Sequence, residues 1–465
     1  MRYLPLSPSD RTQMLNEIGL KSIEELFDQI PEELRLKRPL QVPGPFSEQE
    51  ILEFFRETAK ESSREYVSLL GAGVYQHYRP VVIDVLLSRG EFLTAYTPYQ
   101  AEIAQGTLQA LFEFQTLITQ LTGMEVANAS LYDGSTATNE AVLMAMRITR
   151  RDRVVLARSL HPEYREVIKT YLQNLGVRQV EVPYAPSGQI DLAQLASILN
   201  HETAALVIQS PNFFGSIEHV KEIATMARKC GALLIVAITE PLSLALIKEP
   251  SEADIVCGEA QSFGVPVAFG GPFVGFLATR ERFVRQMPGR LVGQTVDSQG
   301  RRGFVLTLVT REQFIRREKA TSNICTSQSL CALAATIYLC LLGKQGLKRL
   351  AEHNLAKAHY AAQTLTSITG IDTPFTAPYF NEFVVKTPER AGNLLEALRE
   401  EKILGGLELE RFYPELKNHL LLCVTEVVRK DDIDRMADVY RRFATHPSMQ
   451  VTEGEFQAAP AGQKS

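Results

Sequence analysis

The sequence has no C-x-x-C pair, no G-x-S-x-G turn and no H-E-x-x-H helix. Those absences exclude a dithiol or zinc-knuckle site, a serine-hydrolase elbow and a zinc-protease helix. His353 and His359 lie six residues apart. That spacing does not place two ligands on one helical turn. There is no basic surplus either: net charge is −5 and the pI about 6.0. A nucleic-acid footprint would need clustered Lys and Arg. The opening "MRYLPLSPSD" lacks the apolar core of a secretion signal. The longest apolar run, Leu330 to Gly343, is shorter than a membrane span and reads as a buried helix. Most of the six cysteines (Cys230, Cys257, Cys325, Cys331, Cys340, Cys423) lie in apolar stretches. Reduced, buried thiols are expected, in a cytoplasmic protein with neither membrane nor nucleic-acid partner. "GAGVYQ" (71–76) lacks the third glycine of a dinucleotide fingerprint and follows no convincing strand. No lysine occurs between Lys248 and Lys319. A gap of that size arises by chance too readily to carry an argument. No internal repeat is visible.

What is present is an ordinary globular composition, 45% hydrophobic and 22% charged, over 465 residues. That is enough chain for more than one unit. Residues 1–70 read as a helical arm with little apolar content. Ser7-Pro8 opens a helix that Gly19 ends, and Ser22 with Glu25 and Ser47 with Glu50 form two capping boxes. From about residue 104 apolar strands ("RVVLA", "TAALVIQS", "ALLIVAI", "ADIVCG") alternate with helices. Continuous Val/Ile/Leu runs are how strands read when both sheet faces are covered. The expected fold class is α/β: a large domain at 71–325 with a mostly parallel sheet, then a smaller α+β domain at 326–450. A loose tail at 451–465 completes the expectation.

Four stretches are candidate sites. In "NASLYDGSTATNEA", Ser135 and Thr136 open a helix whose free N–H groups could seat a phosphate; a plain N-cap is the bland alternative. His161 follows a strand, at the edge where α/β sheets bind ligands, and could stack on a flat ring. A capping histidine is the alternative. Thr239 and Glu240 end another strand, where an acid could pair with a cation. A solvated carboxylate is the alternative for Glu240. "GEAQSFGVPVAFGGP" (258–272) has the small, Gly-rich character of an active-site loop, yet carries no nucleophile.

In this order, a phosphate seat, a ring-stacking residue and a strand-end acid are what a pyridoxal-phosphate enzyme needs ahead of its Schiff-base lysine. Five segments carry a more specific resemblance. They are "LGAGVYQHYRPVVI", "EFLTAYTPYQAEIAQGTLQALFEFQTLI", "LTGMEVANASLYDGSTATNEA", "GEAQSFGVPVAFGGPFVGFLA" and "TREQFIRREKATSNICTSQSL". Over essentially its whole length the chain resembles the α subunit (subunit 1) family of bacterial decarboxylating glycine dehydrogenases, the P-protein of the glycine cleavage system.

The resemblance implies a fold-type I pyridoxal-phosphate transferase architecture and a β-subunit partner, usually as an α2β2 heterotetramer. Active β relatives read His-Lys-Thr-Phe in the 258–272 loop. Aligned on Phe263 and Pro266, their lysine falls on Gln261, and their pyridinium-pairing Asp falls on Thr239. A Gln amide is not nucleophilic and forms no imine. The resemblance thus assigns pyridoxal 5'-phosphate to the partner, held there covalently, and no catalytic residue to this chain. With that partner, glycine would lose CO2 and pass its aminomethyl group to the lipoyl arm of H-protein. This chain would complete the partner's cofactor site through Tyr96, Thr97 and Tyr99 of "AYTPYQ" and Thr321, Ser322 and Asn323 of "ATSNICT". Ser135, Thr136 and His161 would line its own vestigial pocket. Two other readings stay open: a self-sufficient enzyme using Lys248, and a structural pseudoenzyme.

Overall fold

The computed structural model describes residues 6–60 and 66–445. The chain divides into a unit ending at Arg64 and a unit beginning at Glu65. In the first, Ser7 caps the Pro8–Glu17 helix, with its reciprocal bond to Asp10, and Gly19 follows in a left-handed conformation. Ser47 and Glu50 close the second capping box, which opens the Glu48–Lys60 helix. The Ser22–Glu25 box opens only a single 3-10 turn, Glu24–Phe27. No described residue of this unit is buried, so it has no core of its own.

The second unit is built on a seven-stranded sheet. Its order across the sheet is Val126–Ala127, Gly275–Thr279, Ile255–Glu259, Leu233–Ile238, Thr203–Gln209, Arg153–Ala157 and Arg178–Val182. All the pairings from Ile255–Glu259 to Arg178–Val182 are parallel; Gly275–Thr279 runs antiparallel to both neighbours. Strand side chains alternate between faces. Val155, Leu206, Ile208, Val236 and Val256 pack with the Gln105–Thr122 helix and the start of the Ser329–Thr366 helix. Val154, Ala205, Val207, Ile235 and Cys257 pack under the Gly134–Thr149 and Pro162–Leu172 helices. Both faces are covered, which is why these strands are apolar throughout.

A smaller antiparallel sheet orders Glu382–Lys386, His419–Cys423 and Leu407–Glu408. It shares a core with the helices Ala391–Glu400 and Lys430–Thr445. Val67–Ser68 pairs in parallel with Ile403–Leu404. The chain therefore joins this smaller sheet region before residue 70, where the arm was expected to end. The last positions of the expected small domain (446–450) and the tail (451–465) lie outside the described residues. The Ser329–Thr366 helix is long and apolar enough to cross a membrane by length and composition. Gly343 interrupts it, and Ala332–Ala335, Tyr338 and Leu339 are in the core. All six cysteines are free, but only Cys230, Cys257 and Cys423 are buried; Cys325 and Cys340 are exposed, against expectation.

A self-filled pocket at the sheet edge

The C-terminal ends of the parallel strands, where α/β sheets bind ligands, converge on the segment Gly71–Arg79. Gln261 is buried and its amide is fully used. Its Oε1 accepts from the Tyr75 N–H at 3.0 Å, and its Nε2 donates to the carbonyls of Tyr75 (3.1 Å) and Val265 (2.8 Å). The side chain thus pairs with the Tyr75 backbone as a neighbouring strand would. At the strand end, Gln209 Nε2 donates to Thr239 Oγ1 at 3.1 Å, which contacts the Tyr75 hydroxyl at 3.1 Å. That hydroxyl donates to Glu382 Oε2 at 2.8 Å. Burial raises the Glu382 carboxyl to about 7, against the stabilising bonds from Ala72 N–H and Tyr75.

Glu240 is buried, not solvated. It faces His77 Nε2 at 2.9 Å, and Glu426 faces His77 Nδ1 at 2.8 Å. Burial opposes charge on this imidazole, but the two carboxylates override it and raise its pKa to about 10. Burial also pushes Glu426 up, yet His77, the Tyr78 N–H and Asn354 draw it down to about 2. At neutral pH His77 is a cation with its side chain buried between the Glu240 and Glu426 carboxyl groups.

The expected phosphate seat is filled as well. Asp133 caps the Gly134–Thr149 helix through the Thr136 N–H (2.8 Å) and takes both the Ser135 and Thr136 hydroxyls. Glu259 Oε2 accepts from the Gly134 N–H at 2.9 Å, while its Oε1 accepts from Gln261 (3.0 Å) and Val274 (2.8 Å). Burial raises Glu259 to about 7, against those backbone bonds. Two side-chain carboxyls thus occupy the donors a phosphate would use. A Cβ at Gly134 would run into the Tyr164 hydroxyl, so this position requires glycine.

His161 caps the Pro162–Leu172 helix: its Nδ1 accepts from Glu163 N–H, and its Nε2 donates to the Ala72 carbonyl at 2.8 Å. Burial lowers its pKa, against the Ala72 bond, so it stays neutral. Its ring lies against Tyr164 and Phe213 and close over Gly73. At Gly73, φ is +96° and an added Cβ would meet His161 Nε2 at 3.0 Å. Both conditions require glycine there. Ser135, Thr136 and His161 are therefore brought to one pocket, but every one is engaged within the chain. The residues present do not fit a covalently held pyridoxal phosphate: Gln261 stands at the lysine position, the Gly134 and Thr136 N–H groups and the Ser135 and Thr136 hydroxyls are bonded to Asp133 and Glu259, and His161 is bonded to Ala72.

The other predicted residues lie on a second surface. Tyr96 is 81% exposed and Tyr99 54%. Thr97, Thr321 and Ser322 are half-buried, and Asn323 is exposed. Tyr99 packs edge-on against Phe314 at 5.4 Å. The structure brings "AYTPYQ" and "ATSNICT" together. The Tyr99 hydroxyl, however, bonds Arg290 of its own chain at 3.1 Å. Lys248 is exposed and paired with Glu252 at 2.9 Å, which gives a self-sufficient imine no support. Sequence reasoning missed Tyr75, His77, Glu259, Glu382, Glu426 and Arg290. The one available signal was "GAGVYQHY", whose glycines mark close backbone approach rather than a nucleotide site.

The model of the glycine cleavage system P-protein family matches residues 1–440. A probable glycine dehydrogenase (decarboxylating) subunit 1 from Koribacter versatilis is 57% identical over 94% of this chain and 99% of its own. Its counterpart from Solibacter usitatus is 55% identical over 97% and 100%. Among solved structures, an inhibitor-bound glycine decarboxylase (P-protein) superposes with TM-score 0.83 at 41% identity, covering 95% of this chain and 100% of that one. A sphingosine-1-phosphate lyase from Burkholderia pseudomallei shares the fold at TM-score 0.64 and 17% identity, over 89% and 93%. The architecture is that of the fold-type I pyridoxal-phosphate enzymes. The chain belongs to the glycine cleavage system P-protein family, as a subunit 1 of decarboxylating glycine dehydrogenase.

Proposed function

We propose that this chain is the non-covalent half of a two-chain glycine decarboxylase, and that the cofactor lysine belongs to its β-subunit partner. The observation that carries this reading is the Gln261 amide locked to the Tyr75 backbone. A lysine there is replaced by a group that cannot form an imine, and the space beside it is filled by the chain itself. Pyridoxal phosphate, bound by the partner, supplies the electron sink for loss of CO2 from glycine. The residues of this chain bind and shape.

Tyr96, Thr97, Thr321, Ser322 and Asn323 are the groups this chain presents toward the partner's site, with hydroxyls and an amide able to donate to an anionic group. Phe314, which packs against Tyr99 at this edge, is 53% exposed, and such an exposed apolar ring favours a protein partner over water. The assembly is α2β2, acts in the cytoplasm, and hands the aminomethyl group to the lipoyl arm of H-protein.

The deciding experiment combines glycine and lipoylated H-protein with this chain alone, the β subunit alone, and both. Turnover is expected only in the mixture. Turnover by this chain alone, or a borohydride-trapped pyridoxyl-lysine on it, overturns the reading.

A further inference from the structure

Arg290 opens the Leu291–Val296 strand and is only 6% exposed. Its Nη2 donates to the Tyr99 hydroxyl at 3.1 Å and to the Cys325 carbonyl at 2.6 Å, and its Nη1 donates to Thr326 Oγ1 at 3.3 Å. The guanidinium carbon lies 5.5 Å from the Tyr99 ring centroid, within cation–π range. Its backbone is held too, since the Arg290 carbonyl accepts from the Ala129 N–H at 2.8 Å. One buried, planar cation therefore grips two segments far apart in sequence. A lysine has no fork with which to meet three acceptors at fixed angles.

The two segments differ in how well they are otherwise held. The Thr321–Gln328 stretch has several anchors. Thr321 N–H bonds the Arg311 carbonyl at 2.9 Å, Cys325 N–H bonds the Tyr132 hydroxyl at 2.9 Å, and Gln328 N–H bonds Ser130 Oγ at 2.9 Å. "AYTPYQ" is held mostly by local contacts: Ala95 N–H to the Phe92 carbonyl (3.1 Å), Ile103 N–H to the Gln100 carbonyl (3.4 Å), a tight turn from Tyr99 N–H to the Thr97 carbonyl, buried Pro98, and the Tyr99–Phe314 ring contact. The guanidinium ties the loosely held segment to the firmly held one.

We propose that Arg290 is a positioning residue for glycine decarboxylation: a clasp that makes Tyr96–Tyr99 and Thr321–Asn323 one rigid edge, presented to the partner subunit's cofactor. This rests on the reading above that both segments border that site. It reassigns Tyr99, whose hydroxyl serves the clasp rather than the cofactor. Groups that complete a site must be held to about half an ångström, and remote changes that loosen them by 1 Å can cost on the order of a hundredfold in rate.

The test uses the assembled two-chain complex with four single variants of this chain and the Arg290→Lys/Tyr99→Phe double variant. Arg290→Lys and Tyr99→Phe cut the clasp; Tyr96→Phe and Asn323→Ala remove groups at the edge itself. Readouts are assembly by gel filtration, kcat and KM for glycine, and the visible circular dichroism and dissociation constant of the partner-bound cofactor. Arg290→Lys is expected to lower kcat about 10- to 100-fold, with KM for glycine changed less, and to alter the cofactor dichroism. Tyr99→Phe, which keeps the ring, moves the same readouts less. The double variant is expected to be no worse than Arg290→Lys, because both changes break one device. If the edge variants alter rate and dichroism while both clasp variants match wild type, the clasp is overturned and the parent reading stands. If none of the four changes anything, the parent reading fails and takes the clasp with it. Should Arg290→Lys not assemble, Tyr99→Phe decides alone: wild-type dichroism and kcat in that variant overturn the proposal.

Discussion

Replacing His77 with Gln should remove a pH dependence of stability that the structure makes large. In the folded chain the imidazole lies between Glu240 and Glu426, its pKa raised from 6.5 to about 10. At 1.36 kcal/mol per pKa unit, that amounts to about 5 kcal/mol of folded-state preference for the cation. Glu426, lowered from 4.5 to about 2, senses the same contact from the other side, so the two figures are not added. A histidine with a raised folded pKa stabilises fully below pH 6.5, and this contribution is lost as pH rises toward 10. The carboxylate stabilises fully above pH 4.5 and loses that contribution as pH falls toward 2. Wild type should therefore weaken, relative to His77→Gln, by roughly 1.4 kcal/mol for each pH unit between 6.5 and 10. Near pH 6 the variant should be less stable by about 3–5 kcal/mol, because buried Glu240 and partly buried Glu426 lose their shared partner. For a unit of roughly 400 residues that corresponds to a Tm drop of about 4–6 °C. Other groups around the site also titrate or carry charge: Glu382, Tyr75, Tyr338, Cys423 and Lys357. They remain in both proteins, so the difference between the two curves isolates the triad. Urea unfolding of wild type and variant from pH 6 to 9 supplies those curves. Parallel curves would refute the buried triad.

Three further outcomes are expected. Gln261→Lys alone should not yield a borohydride-stable pyridoxyl adduct on this chain, since Tyr75 and Glu259 still fill the pocket; mass spectrometry after reduction reads the result, and a labelled lysine would count against the filled pocket. Glu259→Ala strands three buried backbone N–H groups and should cost about 3 kcal/mol or more in urea unfolding; a change under about 1 kcal/mol would mean the carboxyl is not their partner. Gly73→Ala should destabilise by about 1–3 kcal/mol, from the positive φ and the approach to His161; an unchanged unfolding midpoint would show that the Gly71–His77 segment does not sit against His161.

Much of the frame was legible in the sequence because it depends on local rules. The covered strands are apolar runs, and the Ser7 and Ser47 caps and the Gly19 stop are short-range patterns. The missing nucleophile was legible as well: Gln261 differs from lysine in chemistry, and no folding can change that. Short or half-exposed elements were not legible. The Arg178–Val182 strand is half-exposed with no clear apolar period, and the Leu291–Thr307 ribbon is polar along much of its length. The Ser22–Glu25 box had a cap but no apolar face to bury, so it gave one turn.

Function at the pocket was decided by distance in sequence. Ser135, Thr136, His161 and Glu240 look available along the chain. Only tertiary structure delivers Glu259 to the Gly134 helix start, Ala72 to His161, and His77 to Glu240. Pairings across so many residues leave no local pattern, because each partner satisfies its own segment's rules. Sequence alone therefore determined that position 261 carries an amide, which forms no imine. The fold decided that the space is already occupied, because buried polar groups must find partners and these found them within the chain.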